Sequence, residues 1–375
     1  AYNRLGLACE DMQDNEAALE WFQKALKMSQ DDGDKKAQIT AHINVGNAYR
    51  LLGKLDQATS HFNTALQMAQ QTGDQHGQMK AYCKMGDMHR EQLHSPHTAI
   101  QYYEQYLALA RQLMDRHEEG LAYNRLGLAH YEMGEYETAL EWFKKYLKMS
   151  QDGGDKKGQI AAHTNVGKTY RLLGKLDQAT SHFNTALQMA QQTGDQHGQM
   201  KVYLWMGDMH REQLHSPHTA IQYYEQHLAL ARQLMDRHEE GLAYNRLGLA
   251  HYEMGEYEAA LEWHQKHLKM SQDDGDKKAQ ITAHTNVGNT YRLLGKLDLA
   301  TSHFNTALQM AQQTGDQRGQ MKVYFWMGEM HREQLHSPHT AIQYYEQHLA
   351  LARQLMDRHE EGLAYNKLGR AHYEM

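Results

Sequence analysis

Residues 122–149 read AYNRLGLAHYEMGEYETALEWFKKYLKM. Tyr123, Leu126 and His130 fall at i, i+3 and i+7, and Tyr136, Leu140, Phe143 and Leu147 at i, i+4, i+7 and i+11. Both spacings line one face of a helical period, so two amphipathic helices are expected. Gly134 between them is a helix C-terminal signal. DGGD at 152–155 is a turn cluster that ends the second helix. Small residues, Gly127 in the first helix (A) and Ala139 in the second (B), mark where the helices cross closely.

The same helix–turn–helix recurs along the chain. Glycines stand at Gly6, Gly46, Gly86, Gly127, Gly167, Gly207, Gly248, Gly288, Gly328 and Gly369, in steps of 40, 40 and 41. Alanines follow all but the last, at Ala18, Ala58, Ala99, Ala139, Ala179, Ala220, Ala260, Ala300 and Ala341. A longer period overlies the short one. AYNRLGLA begins at Ala1, Ala122 and Ala243, and AYNKLGR at Ala364, always 121 residues apart. Residues 122–242 and 243–363 differ at 12 of 121 positions. The expected organisation is therefore three units, 1–121, 122–242 and 243–363, with 364–375 opening a further repeat. Ser95–Pro96, Ser216–Pro217 and Ser337–Pro338 read as N-cap and first helical residue. The chain starts and stops inside the pattern without polar caps, so a slice of a longer array is expected. Uncapped, phase-matched ends also suggest head-to-tail self-association into a filament or tube.

Composition narrows the class. With 375 residues, 41% apolar, 3 prolines and a mean hydropathy of −0.83, the chain reads as mostly helix with many faces in water. It has no apolar run long enough for a membrane span and no basic-then-apolar leader at its start. Two cysteines, Cys9 and Cys83, build no disulfide framework. A cytoplasmic protein is expected. A net charge of −7 argues against nucleic acid as partner.

Candidate chemistry is sparse. Val166–Thr169 reads VGKT, but the upstream glycine of a phosphate-binding loop is Ala162 and the stretch is helical. His210, His215 and His218 cluster in MHREQLHSPH, with counterparts at 89, 94, 97 and 331, 336, 339. That spacing straddles a turn and is no standard zinc pattern. Cys9 replaces the His130 and His251 of the other units, and Cys83 replaces Leu204 and Phe325, as drifted packing positions do. No enzyme, cofactor or metal site is expected. The 27 histidines predict loss of stability from about pH 7 to 5, with His130 and His210 held neutral in aromatic slots.

The pattern resembles the tetratricopeptide repeat. In one repeat it reads His163, Val166, Gly167, Tyr170, Gly174, Ala179, Phe183 and Ala186. The usual helix-terminal proline is missing, and the repeat has 40 residues, with the extra ones expected in helix B and its turn, as in LALARQLMDRHEEG. Val45-Gly46-Asn47 and Val287-Gly288-Asn289 give a local resemblance to the long-repeat scaffolds named for Leu-Gly-Asn (LGN/Pins). The resemblance implies an all-α, right-handed superhelical solenoid of antiparallel helix pairs. It further implies that the A helices line a concave groove for a protein or peptide partner. The residues so placed include Asn124, Arg125, Tyr131, Asn165, Lys168, Arg171, Trp205, Arg211, Asn286, Asn289 and Trp326. One arginine per repeat, completed by Arg4, Arg50, Arg90, Arg246, Arg292 and Arg332, makes a basic ladder in an acidic chain. Guanidinium forks suit carboxylates, so an extended acidic peptide is the expected ligand. The competing reading pairs these arginines with Glu132 or Glu212 on neighbouring helices.

Overall fold

The computed structural model describes residues 2–12 and 14–375; Ala1, the expected start of the first sequence unit, lies outside them. All regular structure among the described residues is α-helical, in nineteen helices of 10–18 residues. Among the described residues no helix is long and apolar enough to cross a membrane. The chain divides into two compact units, one ending at Gly198 and one spanning Gln199–Met375.

In the first unit the A helices are α1 (Tyr2–Asp11), α3 (Lys35–Leu51), α5 (Gln75–Glu91), α7 (Arg116–Glu132) and α9 (Lys156–Leu172). The B helices are α2 (Asn15–Asp31), α4 (Leu55–Thr72), α6 (Pro96–Gln112), α8 (Tyr136–Asp152) and α10 (Leu176–Thr193). In the second unit the A helices are α11 (Gln196–Glu212, from Gln199 on), α13 (Arg237–Glu253), α15 (Lys277–Leu293), α17 (Gln317–Glu333) and α19 (Arg358–Tyr373). Its B helices are α12 (Pro217–Gln233), α14 (Tyr257–Asp273), α16 (Leu297–Thr314) and α18 (Pro338–Gln354). Within each unit a B helix packs on its own A helix and on the next A helix. That is an all-α solenoid of antiparallel helix pairs.

The crossing glycines work as their spacing predicts. A Cβ on Gly127 would stand 2.6 Å from the Phe143 ring, which is fully buried against it. Phe62, Phe183 and Phe304 fill the same place over Gly46, Gly167 and Gly288, and Tyr103, Tyr224 and Tyr345 over Gly86, Gly207 and Gly328. Over Gly248 the ring is the imidazole of His264, and a Cβ on Gly369 would meet nothing within 4 Å.

Two local expectations need correction. The stretch RHEEG belongs to the next A helix and not to a turn, since α7 begins at Arg116. Asp115 caps it by accepting from the Glu118 amide at 3.1 Å, and Glu118 and Glu119 then suit the positive helix start. The extra residues of the long repeat therefore lengthen helix A as well as helix B. Ser95, Ser216 and Ser337 do precede an N-terminal proline, but their hydroxyls make no cap bond to the helix. Ser216 Oγ turns to Thr219 Oγ1 at 3.0 Å instead.

Moving RHEEG into the helix shortens the preceding turn to a few residues centred on Met114, Met235 and Met356. These methionines adopt φ of 53–54° and are about nine-tenths exposed. Other B-to-A turns place glycine in that left-handed conformation, for example Gly73 at φ 69°. A side chain there costs roughly 1–2 kcal/mol, and glycine returns part of this as unfolded-state entropy. Met235→Gly should therefore raise unfolding free energy by roughly 0.5–1 kcal/mol in urea titration. A lowered value would show that the methionine side chain makes up for the strain.

Candidate binding groove of the A helices

In the second unit the A helices bring one set of side chains together. A cavity of 370 Å³ is lined by Asn245, Arg246 and Leu249 of α13, Thr282, Thr285 and Asn286 of α15, Lys322, Phe325 and Trp326 of α17, and Glu360 and Leu363 of α19. Residues 40 or 41 apart meet because each A helix repeats its neighbour's register. Asn286 Nδ2 donates to Asn245 Oδ1 at 2.8 Å. Phe325 and Trp326 meet edge to face at 4.8 Å, and the Arg292 guanidinium lies 5.4 Å above Trp326. Of the expected residues, Arg246, Asn286 and Trp326 thus share one concavity. Phe325, Lys322, Thr282 and Thr285 were not anticipated. Phe325 is among the 12 positions at which two of the sequence units differ, which was its only signal.

The first unit repeats parts of this arrangement. Asn165 Nδ2 donates to Asn124 Oδ1 at 2.9 Å. The Lys168 ammonium lies 5.0 Å above Tyr131, which is half-buried. Arg171 is buried and Trp205, in the second unit, is half-buried; Arg4 is exposed. Asn289 is buried and donates to the Tyr252 hydroxyl at 2.8 Å.

The arginines occupy two registers, and most have carboxylate partners inside the chain. Four residues after the crossing glycine, Arg50 meets Glu91 at 2.9 Å and Arg90 meets Glu132 at 2.6 Å. In the second unit Arg211 meets Glu253 at 2.5 Å, Arg292 meets Glu333 at 3.0 Å and Arg332 meets Glu374 at 2.9 Å. Each pair links one A helix to the next. The guanidiniums are nearly buried, while Glu253 and Glu333 keep about two-fifths of their side chains in water. Two residues before the glycine, Arg125 meets Asp87 at 3.0 Å and Arg246 meets Asp208 at 2.9 Å. Tyr103 and Tyr224 donate their hydroxyls to the same aspartates at 2.9 and 2.7 Å. Burial opposes ionisation of Asp87, but the Arg125 guanidinium outweighs it and holds the carboxyl below its usual range. In the last repeat the pair is Lys367 with Glu329, at 2.7 Å. Here a lysine ammonium and a glutamate carboxylate take the places of the guanidinium and the aspartate.

His130 differs from expectation. It is half-buried, and its Nδ1 lies 2.6 Å from Glu135. The buried histidines are His227, His264, His267, His284 and His348. His264 and His267 stand where the preceding sequence unit has Phe143 and Tyr146.

The chain belongs to the tetratricopeptide repeat family. The model described as "Tetratricopeptide repeat" matches residues 1–71, 37–112, 77–152, 118–192, 158–233, 198–273, 239–313 and 279–354. No curated protein matches the chain. Among solved structures, the apo form of RapI superposes with a TM-score of 0.65 at 13% identity, covering 95% of this chain and 97% of that one. The apo quorum sensor NprR from B. thuringiensis gives 0.64 at 14% identity, with 92% and 99% covered. A Rap protein complexed with competence and sporulation factor gives 0.54 at 13%, with 90% and 98% covered. At these identities the likeness is one of fold.

Proposed function

We propose that this tetratricopeptide repeat chain is a scaffold that holds an extended segment of a partner protein against α13, α15, α17 and α19. The observation that carries this is the 370 Å³ cavity to which four successive A helices contribute. The Asn286–Asn245 bond leaves the Asn286 carbonyl and the Asn245 amide group to pair with a ligand backbone. Trp326 and Phe325 offer an aromatic wall for one apolar anchor side chain. The partner is acidic beside that anchor, where Lys322 and Arg246 line the cavity. A ligand carboxylate can also exchange with Glu253 or Glu333 at their solvent sides, so the arginine ladder acts both as brace and as secondary contact. Structurally similar arrays hold ligands too: the Rap protein is complexed with competence and sporulation factor. Val45–Asn47 and Val287–Asn289 support a scaffold of the Leu-Gly-Asn type.

Peptide display against the whole chain, followed by titration of the selected sequence, tests this reading. Trp326→Ala should weaken binding about tenfold or more, the usual loss at a central aromatic anchor. Equal affinity for the variant would place the ligand elsewhere.

A further inference from the structure

Apart from the groove, one constellation recurs three times with nearly constant geometry. His42 and His61, His163 and His182, and His284 and His303 each pair an A helix with its own B helix. In all three pairs the Nδ1 atoms are 2.9 Å apart and the ring centroids 5.0–5.1 Å apart. A tyrosine, Tyr49, Tyr170 or Tyr291, flanks the second ring at 5.5–5.6 Å. Among the described residues no group of three or more His, Cys, Asp and Glu is placed to hold a metal ion. A tetrahedral zinc site, which takes three or four protein ligands, is therefore not on offer.

We propose that each pair is a two-imidazole edge for a divalent ion of square-planar preference, copper(II) above nickel(II). Two nitrogens 2.9 Å apart, each about 2.0 Å from one ion, subtend close to a right angle at it. That is the angle between neighbouring ligands in square-planar coordination, and among divalent first-row ions copper binds nitrogen ligands most tightly. Five of the six rings are partly buried and His284 keeps 9% of its surface exposed, so water completes the remaining positions. In the empty pair one ring carries its proton on Nδ1 and donates it to the other. Binding moves that proton to Nε2 through solvent, both Nδ1 lone pairs turn to the ion, and no net proton is released. Burial holds the rings neutral: His42, His182 and His284 are pushed down to about 4. Their lone pairs are thus available at neutral pH.

The three copies are not equal. The middle pair has Lys144, which lies 5.4 Å from the Tyr170 ring and acts electrostatically on His182. The first and third copies have Gln23 and Gln265 there, whose amides donate to Tyr49 and Tyr291 at 3.0 and 3.1 Å. A cation beside the site opposes a second one, so the middle pair should bind about five- to tenfold more weakly.

The test is titration of the whole chain with copper(II) alone, followed by electron paramagnetic resonance and by site-resolved broadening of imidazole NMR signals. The three pairs should broaden, His163–His182 last, with two nitrogens coupled to each ion. Lys144→Gln should bring the middle site level with the others. Combined His61→Ala, His182→Ala and His303→Ala should remove three equivalents and leave any ions on the exposed His94 and His97. Unchanged stoichiometry in the triple variant would overturn the proposal. Should that variant not fold, Lys144→Gln decides alone: no change at the middle pair, or broadening confined to exposed histidines, also overturns it.

Discussion

Lowering the pH from 7 to about 4.5 should destabilise residues 199–375 by several kcal/mol more than residues 2–198. The second unit buries five histidines, and the first buries none among its described residues. Burial pushes His264 down to about 3 and His267 to about 4, His264 being further lowered by His267. Both values lie below the unfolded value, so the unfolded chain binds more protons between about pH 6.5 and 4. Stability is present above 6.5 and is lost as pH falls through that window. At pH 4.5 each residue costs roughly 2–3 kcal/mol relative to pH 7. The half-buried pairs His42–His61 and His163–His182 give the first unit a smaller loss of the same sign. His264→Phe with His267→Tyr restores the residues found at 143 and 146. This double variant should lower the midpoint of acid unfolding by about one pH unit, read by circular dichroism across a pH series. An unmoved midpoint would mean that these imidazoles reach water before the unit unfolds.

The histidines are countable in the sequence but their burial is not, and the reason is physical. Counting histidines gives the sign of the effect. Which of them are buried depends on the packing of separate helices, and His130 lies instead beside Glu135, five residues on across a turn. His264 was readable in principle: a histidine replaces Phe143 at the position that covers the crossing glycine, a place with no room for water. The fold itself was legible because Gly127 and Phe143 must meet for the helices to cross. Helix starts were less so, since RHEEG carries charges that suit a turn and a first helical turn equally. The arginines of the ladder all lie on A helices. Their partners Glu91, Glu132 and Glu253 are 41 or 42 residues downstream, and only the stacking of repeats brings them close.

Arg246→Ala should cost about 3–5 kcal/mol of unfolding free energy, even though the residue lines the groove. Asp208 is 2% exposed and sits between the Arg246 guanidinium at 2.9 Å and the Tyr224 hydroxyl at 2.7 Å. Removing the cation strands a buried carboxylate, and breaking such a pair from one side is the expensive direction. A hydroxyl alone does not replace the charge. Loss of a purely ligand-facing arginine would leave stability within about 0.5 kcal/mol, so the measurement separates brace from contact. The chain carries its own control. Glu329 and Lys367 form the equivalent bridge, with an ammonium in place of the guanidinium and a carboxylate one methylene longer, at 2.7 Å. Asp208→Glu with Arg246→Lys should therefore recover most of the loss. Arg246→Lys alone keeps the charge without the planar guanidinium and should recover only part of it. A double-mutant cycle over Asp208 and Arg246 should return a coupling of about 1–3 kcal/mol. Additive effects within 0.3 kcal/mol would show that the two side chains are neighbours without being partners. The guanidinium would then be free to answer a ligand carboxylate directly.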